Sequence, residues 1–209
     1  MKETIVVASP AKMHSYPEHN PDPCNLLQSH ITAQLIYNVI KTLPRRARIL
    51  FIGCKSSLPL IHHLASAGHE VHGIDESKDA VALARQAPGD YHLISPIEYH
   101  PPFEFDAIFA IHSLHHLSHA QAREMVSHMA GWLVKGGSLT LATPLPVNGN
   151  WASGSSPDEA GSPLNRDNWV ALCEKAGFSP PNSEATIPVP LNATASSQSH
   201  SFMSFHKIS

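Results

Sequence analysis

Six residues have the types and spacing to do chemistry: a run of histidines, His112, His115, His116 and His119, and a separated pair, Gly53 and Asp75. The histidines stand at offsets of zero, three, four and seven, so one continuous helix would align four imidazoles able to hold a transition metal. Ser118, followed three residues later by Gln121, opposes that helix. It reads as a capping box that starts a helix at about residue 119, after three of the four histidines. The preferred reading is therefore a turn carrying His112, His115 and His116, with no metal. Gly53 permits a tight turn and a close backbone approach, and the amides of such a turn can hold an anionic or polar group. Asp75 comes 22 positions later, near the roughly 20-residue spacing at which a carboxylate accepts hydrogen bonds from ribose hydroxyls. Singly, these are a strand-to-helix turn and a helix cap. At consecutive strand ends they point to a bound nucleoside.

Those positions need strands to carry them, and the apolar pattern supplies them. Short apolar runs at 48–53 and 70–75 alternate with helical patterns at 58–67, closed by Gly68, and at 78–86. Residues 91–94 read as a brief third strand. Residues 106–111 form a continuous apolar run of the kind buried on both faces in parallel sheets. After the helix at 119–133, Gly136 and Gly137 release a fifth strand at 138–143. Asn165 caps a helix at 166–176 that Gly177 ends, and the runs 185–191 and 201–207 close the chain as a hairpin. The expected fold is α/β: a doubly wound, mostly parallel seven-stranded sheet with a C-terminal antiparallel hairpin and ligands at the carboxyl ends of its strands. Residues 1–44 read as a lead segment with Pro10, Pro17, Pro21 and Pro23, then a helix at 26–43 on the substrate side; 45–209 form the core.

Composition narrows the function. The 209 residues suit one compact domain, and 42% hydrophobic against 15% charged residues excludes charge-driven disorder. A net charge of −3 offers no basic excess for a nucleic acid. No run approaches the roughly 20 apolar residues that span a bilayer, so a cytoplasmic protein with no membrane partner is expected. Cys24, Cys54 and Cys173 form no CxxC pair and read as reduced thiols.

Over residues 48–178 the chain resembles a known family, the class I methyltransferases that use S-adenosylmethionine. The likeness rests on RILFIGCKSS, GHEVHGIDESKDAVALAR, FDAIFAIHSLHHL, LVKGGSLTLATP and NWVALCEKAGF, and it implies a Rossmann-like methyltransferase fold. By that resemblance Ile52, Gly53, Cys54 and Lys55 border the methionine part of S-adenosylmethionine, Asp75 and Glu76 the ribose, Ser95, Pro96 and Ile97 the adenine, and Ile111 with His112 the sulfonium side. The same turn would bring His112, His115 and His116 to the reacting methyl group as catalytic bases. The chain departs from the family where an acidic residue usually ends the first strand, having Phe51, and where two further glycines are common, having Lys55 and Ser57. A dinucleotide oxidoreductase fails on Lys55 and Leu58, which stand where its fingerprint needs glycine. The expectation is methyl transfer to a small-molecule metabolite. The alternative is a protein of this fold that has lost methyl transfer and either catalyses another reaction or serves as a partner subunit. The acceptor surface would come from the segment before residue 26, the helix to 43 and the loop 144–163, with Tyr16, Phe103 and Trp151 as aromatic candidates.

Overall fold

The computed structural model describes residues 30–144, 164–189 and 198–208. Seven strands make one sheet: β1 (Arg48–Ile52), β2 (Glu70–Asp75), β3 (Asp90–Leu93), β4 (Phe105–Ile111), β5 (Leu133–Pro144), β6 (Ser183–Val189) and β7 (Gln198–His206). Their order across the sheet is β3-β2-β1-β4-β5-β7-β6. The first five pair in parallel, and β7 runs antiparallel between β5 and β6. The helices are α1 (His30–Ile40), α2 (Leu58–Ser66), α3 (Lys78–Ala84), α4 (His119–Trp132) and α5 (Arg166–Lys175), with a short 3₁₀ turn, Lys55–Ser57, leading into α2. This is the doubly wound sheet with a terminal antiparallel pair that the apolar pattern predicts.

The central strand shows why. Successive side chains of a strand point to opposite faces, so a strand covered on both sides must be apolar throughout. In β1, Ile49 and Phe51 join Ile36, Val39, Leu64 and Val81 under α1, α2 and α3. Leu50 and Ile52 join Met125, Met129, Trp169 and Phe205 under α4 and α5. Phe51, standing where the resembled family has an acid, is fully buried and stacks on Phe109, with ring centroids 5.3 Å apart and planes 15° from parallel.

Local signals set the helix ends. Ser118 accepts from the Gln121 amide at 3.3 Å while the Gln121 side chain accepts from the Ser118 amide at 3.0 Å, the reciprocal box that begins α4. Asn165 accepts from the Asn168 amide at 2.8 Å at the start of α5, and Gly177 beyond it is left-handed. Several expected bounds shift: α1 ends at Ile40 rather than 43, and the sixth strand is Ser183–Val189 rather than 185–191. The fifth strand begins at Leu133 rather than 138, because Leu133 already pairs with Phe105 before a bulge, after which Ser138 pairs with Ala107. The last strand begins at Gln198 rather than 201. The loop 144–163 past Pro144, the lead segment before residue 30, and Tyr16 and Trp151 lie outside the described residues.

Candidate functional site

Chain order reverses between β1 and β4, which lie side by side, and in such sheets the crevice for a ligand opens at the carboxyl ends of those strands. Three turns meet there. After β1, Gly53 is left-handed (φ 82°) and donates its amide to Ile74 O at 2.9 Å. A Cβ on Gly53 would come within 2.5 Å of Ser113 Cβ, so the turn after β1 passes directly against the turn after β4. Ser56 Oγ donates to Ile111 O at 2.7 Å and ties the same two turns again.

Asp75 joins the turns after β1 and β2. Its Oδ2 accepts from the Cys54 amide at 2.7 Å and its Oδ1 from the Ser77 amide at 2.8 Å. The carboxylate thus faces the glycine turn and is half-buried. Two carboxylate oxygens offer about four acceptor positions, so two amides leave capacity for further donors. Beside it, burial and then the Asp75 charge push the fully buried Cys54 thiol up to about 12, which keeps it protonated. The Asp75 carbonyl accepts from the Ile94 amide at 3.1 Å, bringing half-buried Ser95, Pro96 and Ile97 to the neighbouring strand end.

The turn after β4 carries the histidines. His112 is left-handed (φ 56°), a conformation uncommon outside glycine, and donates its amide to Ala142 O at 2.9 Å. Its ring crosses the end of β5 to meet His200 of β7, with Nδ1 3.1 Å from Nδ1 and the ring planes 81° apart. Burial first, then His200, then His115 lower the His112 pKa to about 3; burial and then His115 lower that of His200 to about 4. Both are neutral at any ordinary pH. His115 Nδ1 lies 3.0 Å from His112 O, and a carbonyl only accepts, so His115 carries its proton on Nδ1. Burial lowers the His115 pKa as well, that hydrogen bond opposes the shift, and His116 adds to it. His115 and His116 are otherwise exposed, as is His119.

Of the residues singled out from sequence, Gly53, Cys54, Asp75, Ile111 and His112 meet at one crevice. Ile52 and Ile111 are buried and present their backbone there, whereas Lys55 and Glu76 are exposed. Phe51 lies in the core against Phe109 rather than at the crevice. Among the described residues no group of three or more His, Cys, Asp or Glu could hold a metal ion. Sequence reasoning missed Ser56, Ser77 and His200. Ser77 was legible as the first polar residue before α3; His200 becomes visible only once β7 is placed beside β5.

Residues 50–139 match the family model described as a methyltransferase domain. No curated protein sequence matches the chain. Solved structures share the fold at low identity. The N-methyltransferase NodS from Bradyrhizobium japonicum WM9, in complex with S-adenosyl-L-homocysteine, is 17% identical with a TM-score of 0.68 over 90% of this chain and 93% of its own. Magnesium protoporphyrin IX methyltransferase (ChlM) from Synechocystis PCC 6803, with the same compound bound, is 18% identical with a TM-score of 0.62 over 85% and 81%. The [4+2]-cyclase SpnF is 15% identical with a TM-score of 0.66 over 85% and 79%.

NodS and ChlM hold S-adenosyl-L-homocysteine, and the turns at the ends of β1 and β4 in this chain have polar atoms to spare. The fold leaves Ser57 Oγ, Ser113 Oγ and His112 Nε2 buried without a hydrogen-bond partner on the turns after β1 and β4. Buried polar atoms are paired in the great majority of native structures. Unpaired atoms on two facing turns, beside a carboxylate with acceptor capacity to spare, suit a polar ligand.

Proposed function

We propose that this protein is a methyltransferase that transfers a methyl group from S-adenosylmethionine to a small molecule. The observation that carries the reading is Asp75, held by the amides of Cys54 and Ser77 at the switch point of the sheet and turned toward Gly53. In this reading Asp75 accepts from the ribose hydroxyls, with Glu76 at its edge. Ile52, Gly53, Cys54 and Lys55 border the methionine part, Ser95, Pro96 and Ile97 the adenine, and Ile111 and His112 the sulfonium side.

Bound, the cofactor supplies a methyl carbon that is already electrophilic. The protein's work is then to hold the acceptor in line, exclude water and take up a proton. His112 is the base best sheltered for that work, and neutral imidazole is the form that can accept a proton. His115, with its proton on Nδ1, keeps a lone pair on Nε2 at the rim, and His116 stands beside it. Small acceptors suit the net charge of −3 better than nucleic acids do, and among the described residues no helix is long and apolar enough to cross a membrane. Titration calorimetry with S-adenosylhomocysteine tests the reading. The wild type should bind at micromolar Kd and Asp75→Ala tenfold or more weaker, since a hydrogen bond to a charged group contributes about 1.5–3 kcal/mol. Absence of heat with either that compound or S-adenosylmethionine would end it.

A second reading keeps the fold and replaces the chemistry. Phe51, Lys55 and Ser57 in place of the family's acid and glycines favour it, and SpnF is a protein of this fold described as a cyclase. Binding of S-adenosylmethionine without consumption by any acceptor would select it.

A further inference from the structure

His200 lies 88 residues from His112 and on the far side of β5, yet the two rings meet. Neighbouring strands are about 4.8 Å apart, so the backbones at the ends of β4 and β7 stand roughly 10 Å from each other, and both imidazoles must reach over β5. The left-handed backbone of His112 sets its half of that reach, pinned on either side by the bonds to Ala142 O and from His115 Nδ1. On β7, His200 pairs with Pro144 and Ile187 and is 8% exposed, while Phe202, two residues on, presents its ring 6.3 Å from that of His112.

At 3.1 Å, two Nδ1 atoms can share one proton: one ring is the donor and the other must be bare. The near-perpendicular planes allow this, because N–H and lone pair each lie in their own ring plane and can still be collinear. In a neutral imidazole the state of one nitrogen fixes the other. The contact therefore decides whether the buried, unpartnered Nε2 of His112 is a donor or an acceptor.

We propose that His200 is the positioning residue for His112: it accepts the Nδ1 proton of His112 and so holds His112 Nε2 bare, as the acceptor for the proton of an incoming hydroxyl or amine. This rests on the reading of His112 as the base. Each proton taken up at His112 Nε2 is matched by the His112 Nδ1 proton passing to His200 Nδ1 and the His200 Nε2 proton leaving to water. Neither ring becomes a cation. The pair thereby does what one buried histidine does poorly, since both rings are poor hosts for positive charge.

Two-bond ¹H–¹⁵N correlation spectra of the full chain labelled with ¹⁵N-histidine, recorded from pH 5.5 to 8, test this, with His112→Asn and His200→Asn providing the assignment. The wild type should show His112 protonated on Nδ1 with a bare Nε2, and His200 protonated on Nε2 with a bare Nδ1, both neutral throughout. His200→Asn, whose side-chain oxygen stands close to where Nδ1 was, should keep the bare-Nε2 signature of His112. His200→Phe should move its proton to Nε2, the form imidazole prefers in water. A wild-type His112 with its proton on Nε2, a cationic ring at pH 6, or a His112 signal that His200→Phe leaves in place overturns the proposal. Once the Asn variants have assigned the two rings, the wild-type spectrum decides even where His200→Phe does not fold. Calorimetry with S-adenosylhomocysteine on the same sample is independent: failure to bind removes the function while leaving the tautomer result standing.

Discussion

Gly53 is the residue at which close approach is measurable, and what it approaches is the protein itself. An added Cβ would meet Ser113 Cβ at 2.5 Å, and φ of 82° is costly for any side chain that is not hydrogen. Two costs are thus superposed and can be separated. Gly53→Ala should lower the urea midpoint strongly; adding Ser113→Gly should restore the steric part and leave the backbone part, roughly 1–2 kcal/mol. If the double variant is no more stable than Gly53→Ala alone, the contact with Ser113 is not what requires glycine. Cys54 lends itself to a second check at this scale. Buried completely, with its thiol pushed up to about 12, it should resist alkylation in the native state and react only after denaturation. Mass spectrometry of the labelled peptides reads the outcome, and rapid native modification at Cys54 would contradict the packing of this turn.

At the scale of elements, legibility tracks how local the signal is. Helix α4 starts where Ser118 and Gln121 say it does because both halves of the capping box lie within one turn. Ser118→Ala should cost about 1 kcal/mol, within the 0.5–2 range of N-cap losses, measured as a shift of the urea midpoint without a change in slope. A neutral effect would mean that packing of Met125 and Met129 alone sets the end of the helix. Strand β5 was legible only from Ser138 onward. Its first residues pair with β4 on the other side of a bulge, and Gly136 and Gly137 read as breakers in any sequence window that cannot see Phe105. The same holds at the site. Gly53 and Asp75 fall within one βαβ unit and could be joined by counting, whereas His112 and His200 are joined by the order of strands.

Across the whole molecule, a parallel core buried on both faces carries a pair of neutral histidines at the carboxyl end of β4, and that pair makes stability depend on acidity in a definite direction. His112 and His200 have folded pKa values near 3 and 4 against 6.5 when free, chiefly because burial disfavours the cation; His115 is shifted the same way. A group that titrates lower in the folded state binds more protons when unfolded. Its contribution is therefore complete above pH 6.5 and is lost as pH falls toward the folded values. His112 and His200 each contribute a slope of at most about 1.4 kcal/mol per pH unit, so stability should begin to fall below pH 6.5, before the ordinary carboxylates protonate. The groups facing the pair are His115 from its own turn and Phe202 from β7. No described carboxylate or ammonium group there compensates a cation. Urea unfolding at pH 7.5, 6.5, 5.5 and 4.5 should give a stability that is flat above 6.5 and declines below it. His200→Phe should flatten the decline by about one histidine's share, with a further loss of slope at His112 as the neighbouring ring is removed. An identical slope in wild type and variant would mean that these rings are solvated in the folded chain, and the sheltered pair at the end of β4 would go with them.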